Sequence, residues 1–300
     1  MGSIAMAFRS APVWALLAGA ALWGVIWYPY RLLAAAGLDG PWATLCTYGL
    51  AFLIGCVAFP RHARVLLRLP PLAIVMGLAI GWSNLAYVLA ILEGEVVRVL
   101  LLFYLAPLWT VPLARVFLKE RLDARGLLVM ALAFSGAMVM LWHPERGLPW
   151  PHVRAEWLGL AAGFLFALGN VLVRKLEALT DMEKSIVIWA GVVLATLAYI
   201  PGGQMRAQAA FTIAASQWML VVGLGISLVA MGYVLQYGLS RMPANRAIVI
   251  LLSELAIAAI AAYVFAGETL RLRDWVGGGL IAAATLASAW PSPDAPRRRA

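Results

Sequence analysis

A chain of 300 residues that is 64% hydrophobic and only 12% charged, with mean hydropathy +0.88, excludes an ordinary soluble domain, where about 25% of residues are charged. The formal net charge of +9 is spread through short connections between apolar runs, which argues against nucleic acid as a partner and for a charge bias that orients membrane spans. The two cysteines form no CxxC pair and no disulfide framework.

Apolar runs near the 20 residues that cross a bilayer as a helix recur along the whole chain, and the sequence predicts ten spans. The first, 12–36, carries "WGVIWYPYRLL", with Trp23 and Trp27 one helical turn apart on one face. It is long enough to span, so it reads as a membrane helix and not as a cleaved signal. The second, 41–59, holds Cys46 and Cys56, about 15 Å apart along a helix and too distant to bridge. The third, 71–92, has Gly77 and Gly81 in a close-packing spacing, with Ser83, Asn84 and Tyr87 near its centre. The fourth, 96–118, begins with Arg98 close to Glu93 and Glu95. That arginine is either a snorkelling ion pair or an outer gate charge. Tyr104, Trp109 and Thr110 lie deeper, and Pro107 and Pro112 interrupt the span as a hinge or a static kink.

The fifth span, 124–142, leads into the loop 143–156. The sixth, 157–176, repeats the glycine spacing at Gly159 and Gly163 and carries Asn170. The seventh, 183–200, is followed by the loop 201–216. The eighth, 217–239, contains Ser227 and Tyr233. The ninth, 244–266, contains "IVILLSELAIAAIAAYVF", an apolar run with Glu254 at its middle. A charge at that depth costs about 2.5–3.5 kcal/mol even on low estimates. The tenth is 274–290, and Arg297, Arg298 and Arg299 close the chain as a cytoplasmic stop or a contact for anionic lipid. Trp42, Trp142, Trp150, Trp218, Trp275 and Trp290 lie at span ends, where tryptophan anchors the interface.

With the N-terminus placed in the cytoplasm, one face collects Arg61, Arg64 and Arg68, then Arg115, Lys119, Arg121 and Arg125, then Arg174, Lys175 and Lys184. That bias puts both termini in the cytoplasm, most simply at a bacterial inner membrane. Arg271 and Arg273 run against it.

The halves resemble each other. One constant offset pairs Glu120 with Glu268, Phe117 with Phe265, Leu122 with Leu270 and Arg98 with Arg246. A similar offset pairs Trp23 with Phe166 and Arg31 with Arg174. The expected organisation is a first five-helix repeat over 1–148 and a second over 149–300. Five helices is an odd number, so the second repeat enters the membrane upside down, an arrangement many secondary transporters share.

The "WG" of span one, the "LAP" of span four, "GYVLQYGLSRMPANRA" before span nine and the twin ends "KERL" and "GETL" together resemble the EamA-type drug/metabolite transporter superfamily over nearly the whole chain. The resemblance implies a ten-helix, all-α inverted repeat that moves small metabolites, often outward, with amino-acid exporters prominent. It identifies Pro107 as the family's span-four proline and Glu254 as half of its span-nine Glu-Pro pair, with Leu255 replacing the proline. Glu120 and Glu268 match family positions that look structural.

Substrate-binding or coupling candidates are therefore Glu254, Asn84, Tyr87, Trp23, Trp27, Tyr104, Trp109, Asn170 and Tyr233, polar or aromatic residues at mid-membrane depth. Glu254 has three readings: a protonated structural acid, a contact for a cationic group, or the carrier of a coupling proton. The serines and Thr110 can instead bond back to their own helix, and the asparagines can bridge helices. His62, His143 and His152 fall in loops without a ligand cluster. No metal or cofactor is expected, and no motif points to an enzyme. The expectation is a proton-linked exporter of small amphipathic metabolites, apolar or aromatic amino acids first. Export of lipophilic cations and a non-transporting structural role are the alternatives. The partners are a small-molecule substrate, the lipid bilayer and protons. Oligomeric state is not legible.

Overall fold

A computed structural model of the chain describes residues 2–94, 96–141, 151–200, 214–266 and 270–289. Glu95, Trp142, His143, Trp150, Glu268, Trp290 and the terminal arginines lie outside the described residues, as does the side chain of Arg98. The described residues fold as helices α1 (Gly2–Ala35), α2 (Gly40–Ala58), α3 (Pro71–Glu93), α4 (Val96–Phe103), α5 (Ala106–Phe117), α6 (Ala124–Leu141), α7 (Arg154–Lys175), α8 (Asp181–Tyr199), α9 (Ala215–Arg241), α10 (Ala244–Leu251), α11 (Ser253–Ala266) and α12 (Leu272–Ala289). Nine stretches among them are long and apolar enough to cross a membrane, with α4–α5 and α10–α11 each counting as one. The tenth expected span corresponds to α12, which has 18 residues. It opens on Arg273 and Asp274 and is not apolar enough to count with the others.

Local chemistry sets the helix ends. Asp39 caps α2 by accepting from the Trp42 N–H, followed by Pro41 in the first turn. Thr180 and Glu183 form a reciprocal capping box at the start of α8. At the end of α5 the chain turns on Lys119, whose φ of 58° is left-handed, and the Glu120 N–H reaches back to the Ala114 carbonyl.

Packing runs mainly between the two halves. α3 lies against α7 and α8, α1 against α9 and α11, α2 against α8 and α9, α4 and α5 against α7, and α6 against α12. Glycine makes the closest crossings possible. A Cβ on Gly191 would strike the Gly77 carbonyl, and one on Gly81 would strike the Gly191 carbonyl. Gly159 and Gly163 similarly face the Val99 and Phe103 carbonyls. Both glycine pairs therefore serve close helix approach.

Two spans are broken near their middles. α4 ends at Phe103 and α5 starts at Ala106, where Pro107 lacks an N–H for the usual helical bond. α10 ends at Leu251 and α11 starts at Ser253. No proline stands there. Instead the Ser253 hydroxyl donates to the Ile250 carbonyl at 2.7 Å, and the Leu255 N–H bonds Leu252 in a tightened turn. Such back-bonding competes with the helical ladder and bends it. The absence of proline at Leu255 thus does not leave span nine straight.

Candidate functional site

Both breaks border a central cavity of about 140 Å³. Its walls come from α1 (Trp23), α2 (Tyr48), α3 (Asn84, Tyr87), α4 (Phe103), α7 (Phe166, Asn170), α9 (Gln236) and α11 (Glu254). The break in span nine puts Glu254 in the first turn of α11, facing the cavity. Its carboxylate lies within interaction range of the hydroxyl of Tyr104, which sits at the break in span four. The Tyr87 hydroxyl is within electrostatic reach of the same carboxylate. The glycine of the "WG" pair has a local reason. A Cβ on Gly24 would lie 3.0 Å from the Glu254 carbonyl oxygen, so glycine lets α1 close against the helix that carries the acid.

Side-chain amides supply the other polar groups. The Asn84 amide donates to the Tyr48 hydroxyl at 3.2 Å, the interhelical bond expected of it, yet its Oδ1 has no partner among the described residues. Asn170 Nδ2 and Gln236 Oε1 are also buried without a partner there. Buried polar atoms are rarely left unpaired, and each such atom calls for an explanation. Three of them around one cavity form a set of open hydrogen-bonding positions. Phe103 packs at 4.9 Å from Tyr87 and 5.4 Å from Phe166, ring centre to ring centre. The cavity therefore joins an aromatic wall to a cluster of amides and one carboxylate.

The expected residues do not all converge. Trp23, Asn84, Tyr87, Asn170 and Glu254 line the cavity, and Tyr104 reaches it through Glu254. Trp27 packs edge-on to Tyr28, which stacks on Phe265. Trp109 is 36% exposed on the outer surface beside Phe164. Tyr233 is 43% exposed and lines a separate hollow at one end of the bundle. Pro107 is buried, while Pro112 is exposed within α5. Glu93, expected near Arg98, pairs with Arg154 at 3.1 Å.

Of the small hydroxyls, Thr110 and Ser227 bond back to their own helices at 3.0 and 2.8 Å. Ser83 instead crosses to the Ala162 carbonyl on α7 at 2.8 Å. Tyr48, Phe103, Phe166 and Gln236 belong to the cavity and were not singled out from the sequence. Gln236 carried the same signal as Asn84, an amide in an apolar run, but stood close to the expected end of span eight.

Glu120 makes the contact that joins the halves at one end of the bundle. Its carboxylate accepts the Ala244 N–H at 3.0 Å, capping α10 from the loop before α6. Burial pushes this carboxyl above the usual range, opposed by the Ala244 and Asn245 N–H groups and by the Arg174 guanidinium. No cluster of three metal-ligating side chains occurs among the described residues.

Comparison with known proteins places this arrangement. Residues 153–290 match the model of the EamA-like transporter family. An uncharacterized transporter from Archaeoglobus fulgidus is 30% identical over 202 residues, which is 67% of this chain and 70% of the relative. A solved structure, titled only "Crystal structure of protein", superposes with a TM-score of 0.73 over 93% of this chain and 98% of its own at 18% identity, a likeness of fold alone. An all-helical membrane fold, a relative named as a transporter and the family match agree: this chain belongs to the EamA-like transporter family.

Proposed function

We propose that the protein is a secondary active transporter for small amphipathic metabolites carrying an amine, apolar or aromatic amino acids foremost, and that Glu254 couples movement of the substrate to a proton. The observation that carries the reading is the placement of Glu254 beside Tyr104 at the junction of two broken helices, inside a cavity with three amide atoms that have no partner among the described residues. Broken helices that converge on a central polar site are a recurrent feature of transporters. The amide oxygens and the carboxylate suit an ammonium group, the amide N–H suits a carboxylate, and the Phe103–Tyr87–Phe166 wall suits an apolar side chain. The cavity, about 140 Å³, is smaller than the roughly 300–1,000 Å³ of drug-sized sites. That favours a metabolite over a bulky lipophilic cation.

Alternating access by two inverted five-helix repeats, 1–148 and 149–300, completes the proposal. The offset that pairs Glu120 with Glu268 also pairs Tyr104 with Leu252, the two break points. The packing of α3 on α7 and α8 has its counterpart in α1 and α2 on α9. The family match over 153–290 covers the second half. Ten crossings, with α12 as the last, and cytoplasmic termini at a bacterial inner membrane belong to the same reading. Arg98 is proposed as an outer gate charge and Pro107 and Pro112 as hinge residues.

The test is transport in proteoliposomes under an imposed pH gradient, with a panel of amino acids and cationic dyes. Wild type is expected to accumulate an amino acid, and Glu254→Gln to lose gradient-driven accumulation while keeping counterflow exchange. A Glu254→Gln variant that accumulates substrate like wild type sinks the coupling assignment.

A further inference from the structure

A second hollow, about 590 Å³, opens at the end of the bundle between the C-terminal ends of α7 and α9, the start of α8 and the turn that holds His62. Three cations gather in it. Arg174 donates to the Ser240 carbonyl at 2.5 Å. Arg241 pairs with Asp181 at 2.6 Å and lies over the Tyr237 ring at 3.9 Å. Lys184 donates to the Ser240 hydroxyl at 2.7 Å.

Lys184 is the unusual member. It is 1% exposed, yet its hydrogen bond goes to a neutral hydroxyl. An ammonium has three donors, so two have no partner among the described residues, and a buried charge is stable only when paired and hydrogen-bonded. The acids nearby are already engaged or distant. Asp181 is taken by Arg241. Glu177 stands 3.9 Å from Arg174 with a side chain 72% exposed. The Glu183 carboxylate is spent on the Thr180 cap. Three cations thus face Asp181 and Glu177 in the hollow, while Glu120 acts on Arg174 from outside it.

We propose that this hollow is an anion site for a phosphate group, supplied by a phospholipid headgroup or by a free phosphate. Several oxygens on one tetrahedral anion can take the spare ammonium donors of Lys184 together with a guanidinium edge of Arg174, as phosphate does at arginine and lysine clusters. The volume exceeds what a single small ion needs, and basic pockets between membrane helices are a known way of holding lipid headgroups. This site is separate from the central cavity: it shares none of the residues that line it.

The experiment measures thermal unfolding of the purified protein in two arms. One arm adds inorganic phosphate to protein in dodecyl maltoside micelles, which hold no phosphate. The other adds phosphatidylglycerol to the same micelles. Each is run against potassium chloride at equal ionic strength. Stabilisation by phosphatidylglycerol alone assigns the site to a headgroup, and stabilisation by inorganic phosphate assigns it to a free anion. Lys184→Gln is expected to weaken the effective arm by about tenfold or more, as loss of a charged hydrogen bond does, and Lys184→Arg to keep most of it. Arg174→Gln gives the same reading if Lys184→Gln does not fold. Stabilisation in neither arm beyond the chloride control, or undiminished binding by a folded Lys184→Gln or Arg174→Gln variant, overturns the proposal.

Discussion

At the scale of single residues, the cavity amides are the sharpest probes. Gln236 Oε1 is buried with no partner among the described residues, so the apolar variant Gln236→Leu removes an unsatisfied group. It should leave thermal stability equal or higher while weakening substrate affinity by about tenfold, the worth of one hydrogen bond of about 1–1.5 kcal/mol. Binding titrations beside unfolding curves check this, and a drop in stability with unchanged affinity would count against the cavity assignment. Glu120 yields a pH prediction. Its carboxyl is held above the usual range by burial, so the folded state takes up its proton more readily than the unfolded chain. Such a group favours the folded state at acid pH, and that contribution is lost as pH rises through its folded pKa. Glu120→Gln keeps an acceptor for the Ala244 N–H and cannot ionise. Its melting temperature relative to wild type is therefore expected to climb as pH rises from the ordinary carboxylate range, then level off.

At the scale of helices, the crossing of α3 and α8 is set by backbone contact. Adding one methyl in Gly191→Ala places it against the Gly77 carbonyl and should cost about 1–3 kcal/mol, the range for overpacking. Gly49→Ala meets nothing within 4 Å and should change stability by less than about 0.5 kcal/mol. Unfolding in mixed micelles separates the two, and equal effects would refute the tight crossing. The helix breaks teach a different lesson. Pro107 announces the break in span four, and its physical cause is local. At the break at Leu252 a serine hydroxyl bonds back to Ile250, a choice that the sequence alone leaves open, because serine can equally bond elsewhere, as Ser83 does across to Ala162.

At the scale of the whole molecule, the proposed orientation is tested by labelling. In a variant with Cys46 and Cys56 replaced, a single cysteine at Lys119 should react with a membrane-impermeant thiol reagent from the cytoplasmic side, and one at Arg31 from the opposite side. The reverse pattern would invert the topology and with it the face on which the phosphate hollow lies. The two halves should also depend on each other, because α3 packs on α7 and α8, and α1 on α9 and α11. Neither half is expected to keep its fold without the other.

The sequence by itself determined the class of the protein, the apolar runs that become its helices and the place of Glu254 within one of them. These follow from one variable, hydropathy along the chain, because water and hydrocarbon differ so strongly in what they tolerate. Tertiary structure alone decided which face each helix turns inward. Lipid tails are as apolar as a protein core, so an aromatic side chain at the right depth carries no mark of its direction. Trp23 and Trp27 are one turn apart, yet Trp23 lines the cavity and Trp27 packs on Tyr28. Trp109 and Tyr233, expected at mid-membrane depth, face elsewhere. Glu254 and Tyr104 stand far apart in sequence, and only the packing of one half on the other brings them within interaction range.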